Sequence, residues 1–215
     1  MEHPHHPPGR PGRPPKQENL NRAIDLGFDR LAGQAEDQVR WLGGEAAGDV
    51  WRVPVLEDVI AVDRSARRFT TAAGRPVGPH WAILVLHYLA IPARPAELPP
   101  QVTFADLPTA RSYAGVYQGR VIARLCGTAG RTAAKLSAAA ESLGARPVEI
   151  DEGDLVFDFD LFPRLTHRLI WHAPDDEFAA SATLLLPPNI EEYLCSEDVV
   201  VLSECLVARL GGRPF

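Results

Sequence analysis

The sequence predicts an α+β domain: one antiparallel sheet covered by helices, preceded by a disordered N-terminal tail. Three observations carry this. The order of periodicities is helix, strands, helices, then a strand meander and a last helix, with no regular β–α alternation. The strand-like segments of the meander follow one another across short turns, which suits antiparallel pairing. With 215 residues, 46% of them hydrophobic and 23% charged, the chain can bury one substantial core.

Residues 1–16, "MEHPHHPPGRPGRPPK", form the tail. They hold three of the seven histidines and six of the twenty prolines, too few apolar side chains to fold and too many prolines for a helix. They have no apolar run of the kind a secretory signal carries. The tail is net +2, so the body from Gln17 to Phe215, read as a single domain, is near −8 of the whole-chain −6. An acidic body argues against non-specific nucleic-acid binding. The most apolar run, "WAILVLHYLAI", is about half the length a membrane span needs. Three widely spaced cysteines without a CxxC fit a reducing cytoplasm and offer no zinc or iron–sulfur ligand set.

In "QENLNRAIDLGFDRLAGQAEDQVRWLGG", Leu20, Ile24, Leu31, Ala35, Val39 and Leu42 recur at helical steps, and Gly43 and Gly44 end the pattern. "VWRVPVLEDVIAVDRSARRFTTAAGRPVG" has the shorter period of two or three strands. "PHWAILVLHYLAIP" opens with Pro79 in a first turn and is apolar all round, which predicts a buried central helix. Two helices follow in "SYAGVYQGRVIARLCG" and "GRTAAKLSAAAESLG". "DLVFDFDLFP" alternates, with Leu155, Phe157, Phe159 and Leu161 on one face and Asp158 and Asp160 on the other. "THRLIWH" and "EFAASATLLL" read as the next two strands, with Phe178, Ala180, Ala182, Leu184 and Leu186 on the core side. "SEDVVVLSECLVARLGG" reads as a helix N-capped by Ser196.

"ILVLHYL", "TFADLPTARSY", "GDLVFDFDLFP" and above all "DDEFAASATLLLPPNIEEYLCSEDVVVLSECL" resemble the bacterial and archaeal domain-of-unknown-function family 3786, from about Asn19 to Leu210. The resemblance implies no particular activity and no catalytic residue. It implies an anaerobic setting and, because some members carry a cysteine-rich iron–sulfur segment ahead of the domain, redox or corrinoid company. This chain departs from that pattern twice: a Pro/His tail replaces the cysteines, and Pro187 stands where an aspartate is frequent.

The densest group of reactive side chains is "WHAPDDEF". Asp175, Asp176 and Glu177 can ligate a hard cation or act as a general acid, with His172 as ligand or base; the competing reading is a solvated hairpin turn, which the divergence of consecutive side chains favours. His87 lies about 10 Å along the central helix from His80, and is either a hydrogen-bonded core histidine or an axial ligand or proton relay facing a pocket. Asp158 and Asp160, about 7 Å apart, are a carboxylate pair or a solvated face. Cys195, close to a helix start, is a weak candidate for an acidified thiol. Arg111 and Tyr113 stand at a helix start and can meet an anion.

The leading expectation is a cytoplasmic domain that binds an unidentified small molecule or protein partner, as an accessory to redox, iron–sulfur or corrinoid cofactor metabolism. A metal-dependent hydrolase or lyase acting through Asp175, Asp176, Glu177 and His172 is the alternative, and a purely structural interaction domain the third. The residues name no cofactor and leave catalysis open. A binding module predicts a roomy, mainly apolar pocket with few converging polar groups.

Overall fold

The computed structural model describes residues 17–99, 101–149 and 153–215. The expected disordered tail lies outside these residues. The architecture is α+β, with every strand pair antiparallel, but the strands form two sheets where one was expected.

The first helical pattern is broken in two. Helix α1 spans Gln17–Leu31 and α2 spans Glu36–Trp41. The break lets the Gln34 side chain donate to the carbonyls of Leu89 and Ile91, at 2.6 and 2.9 Å, where helix α3 (Pro79–Leu89) ends. Those carbonyls have no partner inside their own helix, so a tertiary bond overrides a continuous 3.6-residue period.

Four short strands follow: β1 (Glu45–Ala47), β2 (Val50–Val55), β3 (Asp58–Asp63) and β4 (Arg68–Thr70), paired in that order. Trp51, Val53, Val55, Ile60 and Val62 point into the core. Val50 and Arg52 on β2 and Ala61 and Asp63 on β3 alternate with them on the outer face. Arg67, in the β3–β4 turn, has a φ of 49°. Its guanidinium reaches back to Asp25 and Asp29 of α1, at 3.3 and 2.6 Å, which pins β4 beside the helix.

Helix α3 is buried on most of its circumference, as its sequence requires. After it come β5 (Val102–Thr103), two 3₁₀ turns (Phe104–Asp106 and Arg111–Tyr113), and one helical run made of α4 (Ala114–Tyr117), a π-helical segment (Gln118–Ala123) and α5 (Arg124–Gly127). Helix α6 (Ala133–Ser142) is capped by the Thr132 hydroxyl.

The second sheet holds β6 (Arg146–Pro147), β7 (Leu155–Phe162), β8 (Leu165–His172) and β9 (Ser181–Leu186), in the order β5-β9-β8-β7-β6. The predicted alternation of β7 holds from Phe157 to Leu161; at its start Val156 is buried on the opposite face beside Ile170, and a register shift between Asp160 and Phe162 turns Phe162 into the core beside Leu161. Strand β9 is shorter than its sequence suggested. Phe178, expected on the core side, lies before the strand and is 69% exposed. Backbone pairing with β8 ends at His172 and Ser181, so residues 173–180 form a loop and strand parity does not govern them.

Helix α7 (Ser196–Leu210) closes the fold. Its N-cap is Cys195 and not Ser196. The Ser196 hydroxyl donates instead to Glu191, at 2.8 Å. One continuous core joins both sheets and the helices. The sheets also meet directly, through a 3.0 Å hydrogen bond from the Leu56 amide to the Asp160 carbonyl.

Candidate functional site

Where edge strand β4 meets α1 and the N-terminal end of α3, the surface opens into a cleft of about 610 Å³. Its walls bring together parts of the chain far apart in sequence. Ile24 comes from α1, Val50 and Arg52 from β2, Ala61 and Asp63 from β3, Arg68 and Phe69 from β4, and Val77 and Ala82 from the entry to α3. The apolar side chains are those that strand and helix periods leave half-covered beside the core. The polar ones are the outward-facing members of the same strands.

Electrostatically the cleft is graded. Arg67 is held by Asp25 and Asp29, and Arg68 stands 3.8 Å from Asp63. The Asp63 carboxyl sits below its usual range because the Ala66 amide and the Ser65 hydroxyl donate to it. Arg52 makes no ion pair among the described residues. Its guanidinium is thus the cation left to meet a ligand. A half-apolar cleft with one such donor can hold a small organic anion, its body on Phe69 and Val77 and its charge toward Arg52.

The acidic triplet is in the β8–β9 loop, and all three residues are exposed. The Asp175 carboxylate accepts from the amides of Glu177 and Phe178, at 2.8 and 2.7 Å, which depresses its pKa. It is the bracket of a turn. His172, also exposed, ends β8 opposite Ser181. Among the described residues no three His, Cys, Asp or Glu side chains converge as a metal site.

His87 is half-buried, and its Nδ1 lies 2.8 Å from the Asp198 carboxylate on α7. A carboxylate-oriented imidazole is one component of general-base chemistry, and the exposed Cys195 stands at the same helix start. Its thiol is pushed up, first by burial and also by the Asp198 charge, the opposite of the acidification a helix start can cause. Asp158 is held by Arg168, at 2.7 Å, and Asp160 by Arg146 and Thr166. Burial works against the Asp160 charge, but these donors outweigh it and hold the carboxyl low. Both acids are therefore engaged in ion pairs on the sheet's outer face. Tyr113 is exposed, and the ring of Tyr117 stacks on Phe104, 4.2 Å between centroids. The Arg111 side chain lies outside the described part of the structure.

Sequence reasoning missed Arg52, Asp198 and the cleft. Arg52 had a signal, since it alternates with buried Trp51 and Val53. Asp198 and the cleft had none, because each depends on contacts between distant segments.

A family model described as domain of unknown function (DUF3786) matches residues 35–209. No curated protein and no solved structure matches the chain. The family match spans both sheets entirely, together with α2 to α6 and nearly all of α7. The chain belongs to the DUF3786 family.

Proposed function

We propose that this domain binds a small organic anion in the cleft between α1, α3 and the N-terminal sheet. The observation that carries the reading is Arg52, in no ion pair among the described residues, in the wall of a half-apolar cleft of about 610 Å³. Such a cation, outside any ion pair among the described residues although Glu45 stands opposite it across the strands, is a recognition element for a carboxylate or phosphate. We place this activity in the cytoplasm, as an accessory to redox or corrinoid metabolism. That setting rests on the family resemblance and on three unpaired cysteines. Cys126, Cys195 and Cys205 do not gather with other ligands among the described residues.

The metal-dependent alternative at Asp175, Asp176, Glu177 and His172 has weaker support, since one of its carboxylates already brackets a turn.

The test is a thermal-shift screen of the full chain against organic phosphates and carboxylates, followed by amide chemical-shift mapping of each hit. Hits should perturb Val50, Arg52 and Thr70, and Arg52→Ala should weaken them about tenfold, the worth of one charge-assisted hydrogen bond. Hits that map elsewhere, or that bind Arg52→Ala equally well, would overturn the proposal.

A further inference from the structure

The second sheet has an edge that is only half covered. Strand β5 pairs with β9 through Val102 and Leu186 and through Thr103 and Leu185, and then stops. It stops for a local reason. The Asp106 carboxylate accepts from both the amide and the hydroxyl of Thr103, at 3.1 and 2.6 Å, and these bonds bend the chain into a 3₁₀ turn. Beyond it, Ser181–Leu184 pair with β8 on one side, and among the described residues no backbone group pairs with them on the other. Such an edge presents unpaired amides and carbonyls to any extended chain, and proteins ordinarily guard it with proline, charge or a covering element. These four residues include neither proline nor charge.

A cavity of about 200 Å³ opens against this stretch. It touches Ala182, Thr183 and Leu184 in succession. It therefore follows the unpaired stretch of the strand for three residues, between β9 and the helical run that carries Ala114, Tyr117, Gln118 and Ile122. Its far wall includes Phe104, Ala105 and Tyr117. The size and lining suit one apolar side chain.

Charge names the rest of the occupant. The loop entering the open end of β9 carries Asp175, Asp176 and Glu177, none of them in an ion pair among the described residues. Phe178 in the same loop is exposed, as are Tyr113 and Val116, neighbours in sequence of the lining residues Ala114 and Tyr117.

We infer that the Ser181–Leu184 edge captures an extended segment of a partner protein by strand addition. The segment runs antiparallel to β9 in line with β5, places one apolar side chain in the cavity, and carries Lys or Arg at its C-terminal end, facing the acidic loop. Main-chain bonds supply affinity; the cavity and the acids supply specificity. This site is separate from the ligand cleft, and either can fail without the other.

The experiment is selection of short random peptides, displayed on phage, against the full chain. Enriched peptides should share an apolar–polar alternation followed by a basic residue. Their synthetic versions should bind about tenfold more weakly to Ala182→Leu, which fills the cavity from the strand. Ala105→Trp closes the same cavity from an exposed position away from the sheet and should do likewise. The double reversal Asp176→Lys with Glu177→Lys should also cost about tenfold, less at high salt. Three results would overturn the inference: no enrichment, equal binding to the variants, or a concentration-dependent dimer dissolved by Ala105→Trp, which would give the edge to a second copy.

Discussion

His167 on β8 is fully buried, and neither of its ring nitrogens has a hydrogen-bond partner among the described residues. Burial pulls its pKa down to about 3, because an imidazolium in an apolar core has lost its solvation. In the unfolded chain a histidine titrates near 6.5. Below about 6.5 the unfolded chain takes up a proton that the folded one refuses, so this residue's contribution to stability falls with pH between about 6.5 and 3. The slope approaches about 1.4 kcal/mol per pH unit and vanishes above neutrality. His167→Leu should abolish this component and stabilise the protein by about 1–3 kcal/mol, the penalty of an unsatisfied buried polar group. Urea melts of both proteins from pH 4 to 7 decide it; parallel curves would mean that the imidazole finds a partner in solution. At the same scale, Asp175 shows how a suggestive residue is spent on local geometry. Its carboxylate does in the β8–β9 loop what a capping side chain does at a helix start.

Among the elements, the crossing of α1 and α3 sets the shape of the ligand cleft. Gly27 lies where the helices touch: a Cβ there would stand 2.7 Å from Leu86 Cδ1 and 3.0 Å from Leu86 Cβ. A larger side chain must push α1 away from α3, and with it Ile24 and the carboxylates that hold Arg67. Gly27→Leu should destabilise the fold by about 1–3 kcal/mol through overpacking, measurable by thermal melts. It should also weaken any ligand of the cleft while leaving peptide capture at β9 unchanged. A variant of unaltered stability would show that the helices part without cost. The element boundaries themselves follow tertiary bonds. Helix α1 ends where Gln34 can serve the end of α3, and β5 ends where Asp106 turns the chain away.

Across the whole molecule, Tyr88 fastens the N-terminal half to the second sheet. Its hydroxyl donates to the Leu42 carbonyl at 2.6 Å and accepts from the Arg164 amide at 3.2 Å, while its ring stacks on Phe162 at 4.3 Å. Burial pushes the phenol's pKa upward, so it stays a neutral donor across the ordinary pH range. Tyr88→Phe keeps the stack and strands two backbone groups in the interior. It should cost about 1–3 kcal/mol yet preserve a single unfolding transition, because the core is continuous. Two resolved transitions in calorimetry would show that the halves fold independently. Among the described residues no helix is long and apolar enough to cross a membrane, and the charged side chains of the second sheet's outer face are paired across strands.

The sequence by itself determined what local periodicity can carry. The all-apolar surface of residues 79–89 admits only a buried helix. The alternation from Leu155 to Leu161 admits a strand with its acids outward, and the strand meander dictates antiparallel pairing. Family membership was also legible, because it resides in the order of residues. The tertiary structure decided everything that joins distant segments. It paired His87 with Asp198, 111 positions away. It divided the strands into two sheets, exposed Phe178 and moved the α7 cap to Cys195, and among the described residues it left Arg52 outside any ion pair and half the β9 edge unpaired. A period of two or 3.6 states which side of an element is apolar. Which other element covers that side, and where the covering stops short, is set by packing, and both candidate sites lie where it stops.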